Sequence, residues 1–183
     1  LDAFVENISI TYDFNNKDKV VFLNTSDIYD GKVINHNWTN VSALPGQAKK
    51  SIKKGDILFS EIRPANRRFA MVDFDTKNYV ISTKIMVIRP KNGILKNYLY
   101  LCLTNNKTLQ YLQFRAESRS GTFPQITIEQ IQRMKVYIPS IDEQKRIIQC
   151  AMPIISKIEL NNRVNKILEE IALTIFKCYR TRY

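Results

Sequence analysis

Glycine is scarce in this sequence, with five in 183 residues, at positions 31, 46, 55, 93 and 121. No two of them form the G-x-G turn that seats a methyl-donor cofactor, and none opens a G-x-x-x-x-G-K cradle for ATP. An N-P-P-Tyr or N-P-P-Phe methylation motif is absent as well. Histidine is scarcer still, since His36 is the only one. That excludes most histidine-dependent metal sites and leaves a Ser-His-Asp or Cys-His mechanism a single base. The three cysteines, Cys102, Cys150 and Cys178, are far apart and form no C-x-x-C pair, so neither a disulfide framework nor a zinc site is expected. A reducing cytoplasm fits this usage best. No apolar run approaches the roughly 18 to 20 residues of a membrane span, and the N-terminus carries no signal pattern. No cofactor is expected. Asp30-Gly-Lys32 and Asp75-Thr-Lys77 have the D-x-K form of some nucleases, but in a chain this charged such matches arise by chance.

Positive charge is present in excess. Lys and Arg number 28 against 17 Asp and Glu, for a net charge of +11. Residues 141 to 183 hold eight basic and five acidic residues, so +8 falls on the first 140. Such a balance points to a polyanionic partner, with a solvated basic surface kept for solubility as the alternative. Leu1 is not an initiator methionine, and the natural start is expected to lie upstream.

Residues 1–139 read as a globular part made of both strands and helices. Strands are expected at 20–24, 57–60, 69–74, 80–88 and 135–138, and Asp27, Asp30 and Gly31 have turn chemistry. A loop is expected to contain His36, Asn37, Trp38 and Pro45-Gly46. Leu99, Leu103, Leu109 and Leu112 fall close to one helical face, which predicts a helix from Leu95 to about Arg115, interrupted near Asn105-Asn106. The aperiodic, polar stretch 117–125 reads as an ordered loop. Thr127 with Gln130 three residues on has the form of a capping box.

A second capping box, Ser140 to Glu143, predicts a long helix over 140–183. Ile147, Ala151, Ile154, Ile158, Asn161, Val164 or Asn165, Leu168, Ile171 or Ala172, Ile175 and Tyr179 alternate by three and four, as in a coiled-coil seam. Pro153 is expected to kink this helix, and Asn161 either fixes register in the seam or lies exposed at a local break. About 40 residues at roughly 1.5 Å each give a rod near 60 Å, whose apolar seam needs a partner helix.

Three polar groups stand out in the domain. Arg63, Asn66, Arg67 and Arg68 follow directly on a strand, and arginine forks match guanine edges or phosphate while asparagine matches adenine. Their structural alternative is salt bridging to Glu61, Asp73 or Asp75. Arg115, Arg119, Ser120, Thr122 and Gln125 surround Gly121, which permits close backbone approach; the alternative there is a plain connection with Phe123 packed in the core. Lys49, Lys50, Lys53 and Lys54 suit phosphate tracking, or form a merely solvated run.

The run Ala48-Lys-Lys-Ser-Ile-Lys-Lys-Gly-Asp-Ile-Leu-Phe-Ser-Glu-Ile-Arg-Pro64 resembles a hallmark of the specificity subunits of type I restriction-modification systems. So do Phe22 to Lys32, Ser-Gly-Thr-Phe-Pro-Gln-Ile-Thr at 120–127, and Val136 to Arg146, in matching order and spacing over nearly the whole chain. The resemblance implies a non-catalytic DNA target-recognition domain of α/β (α+β) class over residues 1–139, with a curved, mostly antiparallel or mixed sheet and flanking helices, followed by a conserved helix. In full-length members the unit occurs twice and the two helices pair antiparallel, so that each domain reads one half of a bipartite site. This chain holds one unit, either a natural half-subunit that homodimerises or a piece of a longer protein. The implied partners are double-stranded DNA, a methyltransferase (M) subunit, through it a restriction (R) subunit, and a second specificity unit. Rival readings are an RNA-binding module, a coiled-coil scaffold, and a recognition subunit of another restriction system.

Overall fold

A computed structural model describes residues 1–180, apart from the side chain of Arg180, so the last three residues of the predicted helical segment lie outside the described residues. The chain divides into two compact units, Leu1–Ile141 and a second from Asp142.

The first unit is built on two four-stranded sheets. In the first sheet β1 (Val5–Asn7), β10 (Ile85–Pro90), β7 (Ile57–Ser60) and β8 (Phe69–Met71) lie side by side, all antiparallel. The second has the order β5 (Trp38–Asn40), β2 (Lys19–Leu23), β9 (Tyr79–Ser82), β6 (Ala48–Lys50), with β2 and β9 parallel. A small hairpin of β3 (Ile28–Tyr29) and β4 (Lys32–Val33) turns at Asp30-Gly31 and docks on the free edge of β8, where Gly31 N–H donates to the Phe69 carbonyl at 2.9 Å.

Strand alternation explains the layers. Leu58, Ala70, Ile85 and Val87 point from the first sheet into a core shared with Val21, Leu23 and Ile81 of the second. Phe59 and Phe69 point the other way, where their rings stack at 5.9 Å and Tyr100 meets Phe69 edge-on at 6.1 Å. Tyr100 belongs to α1 (Lys96–Thr104), so the first sheet is covered on both faces and β7 is wholly buried. Each fully buried side chain of this size contributes about 1.5 to 3 kcal/mol. A satellite cluster of Tyr12, Val20, Ala48 and Val80 covers the outer face of the second sheet.

The expected helix over 95–115 is two: α1 ends at Thr104 and α2 (Asn106–Glu117) begins after Asn105, whose side chain caps it by accepting from Thr108 N–H at 2.9 Å. The short helix α3 (Ile128–Gln132) starts at Thr127, whose N–H donates to the Gln130 side chain at 2.9 Å.

Three expectations need correction. The single strand expected at 80–88 is β9 and β10 in different sheets, joined by a turn at Thr83-Lys84 in which Lys84 N–H donates to Ser82 Oγ at 3.2 Å. The polar Ser82-Thr83-Lys84 between the apolar runs at 80–81 and 85–88 is the local sign of a break, but it does not say that the two halves belong to different sheets. Trp38, expected in a loop, starts β5, which pairs with β2. The segment 135–138 is in no strand: Val136 and Ile138 are half-buried between exposed Lys135 and Tyr137, so its period of two records an extended segment lying on the surface without a ladder.

The second unit is formed by helix α4 (Ile141–Arg180), 40 residues or about 60 Å, which continues through Pro153 without a break in the helix. Ile147, Ile154, Ile158, Asn161, Leu168, Ile171 and Ile175 are all exposed, as are Leu160, Val164 and Ile167 on the same side of the seam's C-terminal half. No helix among the described residues is long and apolar enough to cross a membrane.

Candidate nucleic-acid interface

Two of the three polar groups form one surface. Leaving β7, residues 61–63 run antiparallel to 124–126. Ile62 bridges Gln125, Ile126 N–H donates to the Glu61 carbonyl at 2.8 Å, and Arg63 N–H donates to the Pro124 carbonyl at 3.1 Å. Buried Pro64 starts a 3-10 turn, Pro64–Asn66, which α2 holds from the side through Ala65 N–H to Gln113 Oε1 at 3.1 Å.

The three arginines of this loop are used differently. Arg67 grips Asp30 of the hairpin turn from Nε at 2.8 Å and Nη2 at 2.7 Å, reaches Asn106 Oδ1 with Nη1 at 2.9 Å, and lies 5.4 Å from the Phe69 ring centre. Arg68 donates to the Ser26 and Ile28 carbonyls, both at 3.2 Å, and packs over Tyr29. Their forks tie the hairpin, the loop and α2 together. The ion pair anticipated with Glu61, Asp73 or Asp75 is instead made by Asp30. Arg63 is exposed, and its guanidinium makes one long bond, to the Thr122 carbonyl at 3.4 Å. Asn66 is exposed beside it. Arg63 and Arg67 both adopt left-handed backbone, φ 44° and 55°. Such conformations cost on the order of 1 kcal/mol or more each, and here the surrounding bonds hold them.

Across the junction Arg115 and Arg119 are exposed, and Ser120 Oγ accepts from Phe123 N–H at 3.1 Å, which folds the loop tip. Gly121 has nothing within 4 Å of where a Cβ would stand, so the tip faces open space. Thr122 is exposed and Gln125 half-buried. Phe123 is 55% exposed, which overturns its placement in the core. The junction therefore offers an unspent arginine fork, amide and hydroxyl groups and a solvent-facing ring within a few residues. These are the groups that contact base edges and backbone in a DNA groove.

The lysine group is divided: Lys53 and Lys54 precede the start of β7, whereas the Lys50 ammonium reaches the carbonyl of Ile85, which pairs with Ser60 at the end of β7. Lys49, Lys53 and Lys54 are exposed. Lys50 turns inward and donates to the Thr83 and Ile85 carbonyls at 3.1 and 2.8 Å, and burial lowers its pKa, partly offset by Glu61. Its ammonium is committed to the sheet, while the other three lysines stay exposed. At the start of β7 Asp56, 1% exposed, receives both Nε (2.7 Å) and Nη2 (2.8 Å) of Arg89 and the Lys53 N–H (2.7 Å), and this bonding raises the Arg89 pKa.

His36 bonds the Tyr79 hydroxyl at 2.8 Å and meets the Phe74 ring edge-on, with no nucleophile or carboxylate in that set. Among the described residues no group of three or more His, Cys, Asp or Glu is placed to hold a metal ion. Asp30, Asn106 and Gln113 position the arginine loop; the sequence marks Asp30 only as a turn residue and Asn106 only as a helix interruption, because this role exists only once the hairpin and α2 have docked.

The model of the type I restriction modification DNA specificity domain matches residues 5–170. The chain is 49% identical over 174 residues to the type I restriction enzyme HindI specificity subunit of Haemophilus influenzae, covering 94% of this chain and 38% of that protein. To the type I restriction enzyme MjaIX specificity subunit of Methanocaldococcus jannaschii it is 32% identical over 90 residues, 49% of this chain and 20% of that one. In fold it is similar to a chain of a solved type I R-M system, with a TM-score of 0.75 at 20% identity, over 92% of this chain and 44% of that one. It is also similar to the HsdS subunit of Thermoanaerobacter tengcongensis, with a TM-score of 0.71 at 20% identity, over 90% and 43%. The chain thus spans less than half the length of each of these relatives.

Proposed function

Because the chain belongs to the type I restriction modification DNA specificity family, we propose that its first unit reads one half of a bipartite duplex target and that its helix sets the position of a second reading unit. The observation that carries this is the junction of residues 61–63 with 124–126, which places the exposed Arg63 fork beside Thr122, Phe123 and Gln125. Arg63 is the base-reading arginine. Arg67 and Arg68 hold the loop that presents it, and exposed Arg115, Arg119, Lys49, Lys53 and Lys54 supply phosphate contacts. The unit performs no chemistry of its own: methylation and cleavage belong to M and R subunits that it directs, in the cytoplasm.

The seam of α4 pairs with an equivalent helix, from a second copy or from another specificity unit. A homodimer reads two identical half-sites related by a two-fold axis. About 60 Å of helix exceeds the roughly 34 Å of one duplex turn, so two heads held at its ends reach two major-groove faces. Selection of bound sequences from a random duplex pool, with the methyltransferase subunit present, tests the reading. A bipartite motif with a fixed spacer is expected. Recovery of unenriched sequence, or stronger competition by RNA than by duplex DNA, refutes it.

A further inference from the structure

Helix α2 is a ridge with different flanks. By helical spacing Asn106 and Gln113, which hold the arginine loop, share one flank, while Lys107, Tyr111 and Arg115 share another. Phe114, 68% exposed, stands between them. The second flank and α3 wall an open groove made of two adjoining hollows, about 450 and 360 Å³, that have Tyr111 and Arg133 in common. Lys107, Arg115, Arg119, Arg133 and Lys135 line it against a single acid, Glu129. All five cations are exposed, and none is in a salt bridge among the described residues. Glu129 is held below the ordinary carboxylate range, first by its hydrogen bond with Thr127, so it stays charged and the five cations exceed it by four.

Neither the arginine loop nor the 120–126 tip accounts for Lys107, Arg133 and Lys135. Five exposed cations around open hollows do not define a shaped small-molecule site; they suit a repeating anion. Thr127, which lines this groove, directly follows Ile126 of the junction that reads the duplex, so the two surfaces adjoin. From Lys107 to Arg119 the chain advances about 18 Å if counted as helix, a length over which one DNA strand presents about five phosphates. Adjacency and length favour the duplex backbone over an acidic protein segment.

We infer that the α2–α3 groove is a sequence-independent seat for the phosphodiester backbone of the same duplex, with Lys107, Arg133 and Lys135 as its contacts. This rests on the DNA-reading role proposed above. The test uses the full chain assembled with its methyltransferase subunit and a variant combining Lys107→Ala, Arg133→Ala and Lys135→Ala. Affinity for selected and random duplexes of equal length is measured over a salt series. Both affinities are expected to fall by the same factor, and the slope of log K against log salt to flatten by about 2 to 3. The ratio of selected to random binding stays as in the parent. Lys107→Arg with Arg133→Lys and Lys135→Arg retains the parental slope.

An unchanged slope overturns the inference while leaving sequence reading intact. Loss of methyltransferase association with duplex affinity retained also overturns it and assigns the groove to an acidic protein surface. A parent assembly that ignores duplex DNA refutes the proposed function itself.

Discussion

Before β7 in sequence the chain carries Lys49, Lys50, Lys53 and Lys54, and after it Arg63, Arg67 and Arg68. Each group commits part of its charge to the fold. Lys50 is taken by two sheet carbonyls, whereas Arg67 and Arg68 are taken by Asp30, Asn106, the Ser26 and Ile28 carbonyls and the rings of Phe69 and Tyr29. What each group leaves over differs in kind: three lysine point charges in one, a single planar fork in a bonded loop in the other. A point charge tracks phosphate, while a positioned fork discriminates bases.

Removing the anchor at the start of β7 should have the largest effect. Asp56→Ala leaves the Arg89 guanidinium without its buried partner and frees the Lys53 turn, and is expected to lower stability by roughly 3 to 5 kcal/mol in denaturant melts. A loss below about 1 kcal/mol would show that the pair does not anchor that end.

In the arginine loop the corresponding anchor is partly exposed, so Asp30→Asn and Arg67→Gln should each lower stability by about 1 kcal/mol. Both are expected to weaken binding to the selected sequence in parallel, because either one frees the loop. If Arg67 itself reads a base, Arg67→Gln alone will weaken binding and Asp30→Asn will not.

The lysines sharpen the contrast further. Lys53→Ala with Lys54→Ala should reduce affinity equally on all duplexes and flatten the salt slope by about 2. Lys50→Met should leave the slope unchanged. Because burial holds the Lys50 pKa below its ordinary 10.5, the unfolded chain binds its proton more readily, and Lys50 contributes a rise in stability as pH increases through the window just below 10.5. That contribution disappears in Lys50→Met and is read by alkaline melts of both proteins.

Long periodic elements were legible in the sequence. The helix break at Asn105, the cap at Thr127 and the 40-residue helix all follow from side-chain spacing and from local bonds within four residues. What was hidden depends on long-range pairing. The polar Ser82-Thr83-Lys84 marks a break within 80–88 but not a change of sheet, and the period of two at 135–138 is the same whether or not a neighbouring strand exists. The candidate site follows the same division. Three clusters of charge could be read off directly, but the joining of 61–63 to 124–126, the inward turn of Lys50 and the capture of Arg67 by Asp30 each need residues at least 33 positions apart. Charge in a sequence is a count of cations, and the docked loops decide which of them remain free for a ligand.

Arg63 carries the central claim. In the assembled complex, the ratio of affinities for the selected duplex and a random one should fall by roughly ten- to a hundredfold in Arg63→Ala, the effect of about 1 to 3 kcal/mol of base discrimination. Binding to the random duplex should stay close to parental. Equal loss on both duplexes would make Arg63 one more phosphate contact and contradict the assignment of sequence reading to this junction.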